Sequence, residues 1–237
     1  MTHDHLKALI ERYTPRMLDV IVPATDEQIE RLESVAGSLP EDYRDFLGWM
    51  GNSCPFLEGE ALAYSPDDLL EFVYEDPEID VPPGFIWMGV DKSGSASSIY
   101  LRLVDGAITR ADYYDGVNES DMLEENVSLA SFLLTSYVRK TLAPSLPHYF
   151  SAALRADGSE ASEVWSRIDA ACKQLDIPYP LALPDFRFYG GNDFVVGVHQ
   201  RARSAVVYLQ FGAVKRSQYE AWYDLVFDRW GALQMPE

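Results

Sequence analysis

The sequence predicts an α+β protein in which an antiparallel sheet is flanked by helices and followed by a smaller α-β-β-β-α unit. Three observations predict this fold: two capped amphipathic helices near the start of the chain, a strand–turn–strand pattern in its middle, and a step in charge near Arg139. The 237 residues are enough for one large or two modest domains. We place a boundary at the Pro144–Pro147 break, which gives domains at residues 1–142 and 145–237.

The first of the two helices is predicted to start after Thr25. Thr25 and Gln28 have the spacing of a capping box, in which each side chain bonds the backbone N–H of the other residue. Asp26 and Glu27 fall in the first turn, where the helix dipole favours negative charge. Apolar residues then recur on one face at helical spacing, at Ile29, Leu32 and Ala36.

The second helix is predicted to begin at Pro40, because proline fits the first helical position. Gly51 is placed to end it. Between these two residues the apolar side chains follow the i, i+3, i+4, i+7 spacing of a buried face: Tyr43, Phe46, Leu47 and Met50.

The middle of the chain predicts a helix starting at Ser65 and then an antiparallel sheet. Ile86–Val90 has the composition of a strand. Ile99–Val104 and Ala107–Tyr114 are predicted to pair as a hairpin, because the Asp-Gly dipeptide between them is typical of tight type I′ turns.

Two acidic loops flank these strands, at Glu75–Pro83 and Asp115–Asn126. Ser128 is then placed to cap a closing helix. The residues that this helix is expected to bury are Leu129, Phe132, Leu133 and Tyr137.

The order of these elements resembles a known family. A polar helix with one apolar face, then the pattern L-P-x-x-Y-x-x-F-L from Leu39 to Leu47, then Gly51-Asn52, is similar to the opening of the SUKH superfamily (Smi/Knr-type proteins). The resemblance covers roughly Val20–Leu142. It implies a SUKH-like sheet flanked by helices. In bacteria it implies an immunity protein, which binds and neutralises a toxin, whereas eukaryotic members are regulators of cell-wall assembly and growth.

The rest of the chain predicts a helix, three strands and a helix, and the resemblance does not extend to it. The first helix is expected at Ser159–Leu175, and a capping box of Ser217 and Glu220 predicts the start of the last. The three strands are predicted at Phe186–Tyr189, Phe194–Val198 and Ala205–Phe211.

The net negative charge of the chain is confined to its first part. Residues up to Val138 carry 27 Asp and Glu against 8 Lys and Arg, whereas residues from Arg139 onward carry 11 of each, so the net charge of −19 belongs to the first part. Such a surface repels phosphate backbones and anionic membranes and attracts a basic partner. Nuclease toxins are usually basic because their own substrate is anionic. The acidity of this chain therefore favours a nuclease toxin as the partner. Alternatively, the acidity only keeps the protein in solution.

We expect the partner to contact the densest acidic segments and the neighbouring strand edge, where one of two successive tyrosines must face outward. The predicted partner-binding residues are Glu75, Asp76, Glu78, Asp80, Asp112, Tyr113, Tyr114, Asp115, Glu119, Asp121, Glu124 and Glu125. The competing hypothesis is that apolar surface of the C-terminal unit, including Trp222 or Trp230, binds instead.

No coherent catalytic constellation is recognisable, so we expect no enzyme activity, metal or cofactor. The second hypothesis, after an immunity protein, is a non-enzymatic regulatory scaffold, as the eukaryotic members of the family that the chain resembles imply. An unrecognised hydrolase is the third. The segment Gly89–Ser95 has the shape of a P-loop but has serine in place of the phosphate-binding lysine and runs into a strand. His3-Asp4-His5 lacks further metal ligands, and His148 and His199 are expected to be satisfied core or surface residues.

The N-terminus lacks the features of a signal peptide, and no apolar run approaches the ~20 residues that cross a bilayer. Two distant cysteines, Cys54 and Cys172, are expected to be buried thiols. A cytoplasmic location follows as an expectation, and the oligomeric state is left open.

Overall fold

A computed structural model of the protein describes residues 3–58, 62–74, 81–91, 97–112, 123–155, 161–175, 177, 181–201 and 204–235. The chain is α+β with antiparallel sheets, as predicted. It divides into two compact units, Met1–Leu133 and Leu134–Glu237. The sequence places the boundary after Leu142, and separate folding of the two parts stays a prediction.

The first unit opens with helices. The helices here are α1 (Asp4–Tyr13), α2 (Asp26–Ala36), α3 (Glu41–Met50), α4 (Pro55–Glu58) and α5 (Pro66–Leu69), which continues as a wider turn over Leu70–Tyr74. The capping box is confirmed: the Gln28 N–H donates to Thr25 Oγ1 at 3.2 Å, and the Thr25 N–H donates to Gln28 Oε1 at 2.9 Å. The four residues predicted as the buried face of α3 are all buried.

The sheet of the first unit has five antiparallel strands in chain order. They are β1 (Leu62–Ala63), β2 (Phe85–Asp91), β3 (Ser97–Arg102), β4 (Ile108–Asp112) and β5 (Leu123–Asn126). Its aromatic core includes Trp87 and Tyr100, whose ring centroids are 5.0 Å apart. Ser128 caps the next helix, α6 (Leu129–Tyr137), as predicted, because the Ser131 N–H donates to its hydroxyl at 3.2 Å.

Three predictions for the first unit are wrong in detail. The segment Cys54–Tyr64, for which the sequence predicts no regular element, contains α4 and β1. The end of the second acidic loop is strand β5, because pairing with β4 outweighs the poor strand propensity of its glutamates. The hairpin loop is not a two-residue type I′ turn: the Arg102 N–H donates to Ala107 O and the Gly106 N–H to Arg102 O, which closes a four-residue loop.

The second unit is built on a six-stranded antiparallel sheet in the order β11-β6-β10-β9-β8-β7. The strands are β6 (His148–Arg155), β7 (Leu181–Ala182), β8 (Phe186–Gly190), β9 (Phe194–Gln200), β10 (Val206–Ala213) and β11 (Leu233–Gln234). The helices are α7 (Ala161–Gln174) and α8 (Arg216–Tyr223), which continues over Asp224–Arg229, while α6 continues into this unit over Val138–Leu142.

The two faces of this sheet are covered differently. Helices α7 and α8 bury one face in the main core of the unit, around Trp165, Ile168 and Trp222. On the other face the extension of α6 lies against two glycines. A Cβ at Gly197 would meet Val138 Cγ1 at 2.4 Å, and one at Gly212 would meet Ala143 O at 2.8 Å. Only glycine permits this approach of helix to sheet.

The predicted α7, α8 and β8–β10 are confirmed, but three strands are missed. Strand β6 is the important one, because it pairs with β10 over the full length from His148 to Arg155. The predicted capping box of the last helix is wrong. Its N-cap is Lys215, so Ser217 lies inside the helix, and no side chain caps it.

Candidate functional site

Most of the predicted partner-binding residues lie outside the described residues. These are Glu75, Asp76, Glu78, Asp80, Tyr113, Tyr114, Asp115, Glu119 and Asp121. Of the remaining three, Asp112 is the last residue of β4, and Glu124 and Glu125 lie in β5. Their role in binding a partner stays a prediction.

The residues that border the two acidic segments lie at opposite ends of the five-stranded sheet. Val81 leads into the start of β2, where Phe85 pairs with Arg102. Asp112 and Leu123 border the second segment at the other end, where Asp112 pairs with Ser97. At about 3.3 Å per residue, seven-residue β2 separates these bordering residues by roughly 20 Å.

One predicted contact residue, Glu124, has a partner within the chain. Arg102 Nη2 lies 2.6 Å from Asp105 Oδ2 and 3.2 Å from Glu124 Oε2. Hydrogen bonding to Arg102 holds the pKa of the Asp105 carboxyl below its ordinary value. Hydrogen bonding to Asp105, and then to Glu124, raises the pKa of Arg102. One guanidinium is therefore shared by two carboxylates, so Arg102 offsets only part of the charge of Glu124.

Apolar side chains are exposed at both ends of this sheet. At the hairpin end Val104 is 84% exposed, and at the end bordered by the second acidic segment Leu123 is 66% exposed. An exposed leucine beside acidic residues matches the usual anatomy of a protein interface, in which an apolar contact is surrounded by polar groups.

A second site, which was not predicted from the sequence, lies within the C-terminal unit. A cavity of about 540 Å³ opens on the face of the six-stranded sheet that carries Gly197 and Gly212. The strands supply its floor, and the extension of α6 and two chain segments near Arg201 and Met235 supply its sides. The lining residues are Arg139, Lys140, Pro144, Tyr149, Ser151, His199, Arg201, Tyr208, Gln210 and Met235.

Strand register brings the floor of the cavity together. Tyr208 of β10 is opposite His199 of β9, and the two rings stack with centroids 4.9 Å apart. Gln210 of β10 is opposite Ser151 of β6. Because side chains alternate along a strand, Val207 and Leu209 point instead into the core on the other face.

His199 is the most unusual group of the floor. It is only 6% exposed, and burial lowers its pKa to about 3, an effect to which the positive charges of Arg139 and Arg201 add. The imidazole is therefore neutral at neutral pH. Gln210 makes a hydrogen bond to the ring, while Nδ1 has no partner among the described residues. A buried polar group without a hydrogen bond costs about 1–3 kcal/mol, and this nitrogen is one of several such groups among the described residues.

The expectation that His199 is a satisfied histidine holds only in part for the described residues: the ring is buried, but Nδ1 has no partner among them. A clue in the sequence was the pair Arg139-Lys140 at the start of the part with balanced charge, together with Arg201 two residues after His199. Only the strand register shows that these residues share a cavity.

The remaining candidate groups are the two cysteines and the possible metal ligands. Cys54 and Cys172 are buried free thiols, as predicted, and burial raises the pKa of each to about 12, so they are poor nucleophiles at neutral pH. Within the described ranges no three His, Cys, Asp or Glu side chains are grouped to hold a metal ion. Trp222 is buried in the core, whereas Trp230 is partly buried.

None of the helices in the described residues is both long enough and apolar enough to cross a membrane. Comparison of the chain with protein-family models, with curated proteins and with solved structures gave no match. The similarity to the SUKH superfamily therefore rests on the sequence pattern of Val20–Leu142 alone.

Proposed function

We propose that this protein is a cytoplasmic immunity protein, without enzyme activity, that binds a cognate bacterial toxin and occludes its active site. The observation that carries the proposal is the distribution of charge. The first unit has 27 acidic against 8 basic residues, whereas the second is balanced. The resemblance of Val20–Leu142 to SUKH proteins supplies the class of function, and occlusion needs no catalytic residue.

The charge also indicates the kind of toxin. A protein that cleaves nucleic acid carries positive charge where its substrate binds, and an acidic surface can both attract that region and replace the substrate there. The proposed contact is the end of the sheet at Asp112 and Leu123 together with the acidic segment between them. In this arrangement acidic residues speed association, while the exposed Leu123 and one of Tyr113 and Tyr114 slow dissociation.

Co-purification with the product of the adjacent gene is the first test. Recovery of a stoichiometric complex supports the proposal, and its absence, with the adjacent gene product shown to be folded, contradicts it. Association should slow steeply as salt rises, because exposed charges are screened beyond about 10 Å at 0.1 M salt. An association rate independent of salt would favour the competing hypothesis of apolar binding through the second unit.

Two matched pairs of variants locate the contact. Amides in place of Asp112, Asp115, Glu119 and Asp121 should slow association more than amides at four exposed acids of the second unit, Glu163, Glu220, Asp224 and Asp228. Leu123→Ser should speed dissociation, whereas Leu233→Ser, at a similarly exposed leucine of the second unit (70%), should not. Equal association rates for the two sets of amide substitutions, or equal dissociation rates for the two serine variants, would mean that the toxin does not contact this end of the sheet.

A further inference from the structure

We propose that the cavity on the C-terminal sheet is a binding site for a small phosphate monoester. This site lies within the second unit and uses none of the residues assigned to toxin binding. It is therefore an additional function, and it can be tested without knowledge of the toxin.

The charge of the lining is the first argument. The lining contains three cationic side chains, Arg139, Lys140 and Arg201, and none of the ten described residues that form it is acidic. The second unit as a whole carries 11 acidic and 11 basic residues, so the lining is more basic than the unit that contains it. A phosphate monoester carries a charge of about −1.5 to −2 at neutral pH, and arginine guanidinium groups match phosphate oxygens in geometry as well as in charge.

The polar floor is the second argument. The Ser151 hydroxyl and the Gln210 amide line the cavity, and both groups can donate hydrogen bonds to phosphate oxygens. The neutral His199 ring lines the same floor and stacks on Tyr208.

The size and the remaining lining favour an ester over free phosphate. A cavity of about 540 Å³ falls in the range of sites for small organic molecules and is far larger than one phosphate group. Pro144, Tyr149 and Met235 add apolar surface to the lining, against which the organic part of an ester can pack. The cations then hold the phosphate, and these residues hold its substituent.

The test is calorimetric titration of the full chain with four probes: inorganic phosphate, glycerol 3-phosphate, adenosine 5′-monophosphate and succinate. We expect saturable binding of at least one of the two esters at one site per chain, tighter than that of inorganic phosphate. Absence of saturable binding of both esters at millimolar concentrations would overturn the proposal. Equal affinity for the esters and for inorganic phosphate would also overturn the proposal, as would tighter binding of succinate than of either ester.

Matched variants assign the binding to the cavity. Lys140→Gln should weaken ester binding by about 10- to 100-fold, because a hydrogen bond to a charged group is lost. Lys173→Gln removes the same charge from an exposed position on α7 outside the cavity and should leave the affinity unchanged. Arg201→Gln and Arg167→Gln form a second pair with the same expectation. Equal affinities within both pairs would show that the esters bind elsewhere and would contradict the assignment.

Discussion

Replacement of Gly197 by alanine tests the close approach of the α6 extension to the C-terminal sheet. The added Cβ would lie 2.4 Å from Val138 Cγ1 and 3.3 Å from Val138 Cβ, and ordinary contacts begin near 3.4 Å. Valine in a helix has one strongly preferred rotamer, so Val138 cannot relieve the clash by changing its rotamer. The helix or the strand must move by about 1 Å, and overpacking of this kind costs about 1–3 kcal/mol.

Urea unfolding of a double-mutant cycle measures this contact. Val138→Ala alone should cost about 1–3 kcal/mol, because it leaves a cavity in the packed interface. The double variant should be little less stable than Val138→Ala alone, because the clashing methyl groups are gone. The two single effects would then fail to add by about 1–3 kcal/mol.

A matched control uses Gly48, an exposed helical glycine with no heavy atom within 4 Å of a built Cβ. Gly48→Ala should raise stability by up to about 1 kcal/mol, because alanine favours the helix. Additive effects of Gly197→Ala and Val138→Ala, within about 0.5 kcal/mol, would refute the close contact and with it the position of Arg139 beside the sheet.

Two further predictions follow from single groups. The pKa of His199 is about 3 in the folded chain and ordinarily 6.5, so the unfolded chain takes up this proton first as pH falls, and stability decreases between pH 6.5 and 3. Between pH 7 and pH 5 the free energy of unfolding of the wild type, measured with urea, should fall by about 2 kcal/mol more than that of the His199→Gln variant. Equal decreases in the two proteins would mean that the histidine is not held neutral. Thr25→Ala should cost about 1 kcal/mol by thermal or urea unfolding, because it removes the cap of α2, whereas Ser34→Ala within the same helix should not; equal effects would show that the cap contributes nothing.

The sequence predicts those elements whose signals are local. The capping box at Thr25, the apolar face of α3 and the cap at Ser128 are each encoded within a few residues and are found as predicted. Strand β5 contains two glutamates and an asparagine, and β6 places a serine and two alanines among its aromatic residues, so the strand signal of each is weak. Both become strands because a neighbouring strand pairs with them, which no local pattern reveals.

The basic cavity could not be predicted for the same reason. Its lining comes from the α6 extension, from β6, β9 and β10, and from residues after β9 and β11. Tyr208 meets His199 only through the register of β9 with β10, and the missed β6 brings Ser151 opposite Gln210. The acidity of the first unit, by contrast, is visible in the sequence, because it depends on composition and not on register.

Titration of toxin activity tests the central proposal most directly. The product of the adjacent gene is assayed for its own activity, such as nucleic-acid cleavage, while the purified chain is added in increasing amounts. The proposal predicts that activity falls linearly to zero at one chain per toxin, and that amides at Asp112, Asp115, Glu119 and Asp121 slow the onset of inhibition at low salt. Full toxin activity in the presence of excess chain would contradict the assignment as an immunity protein.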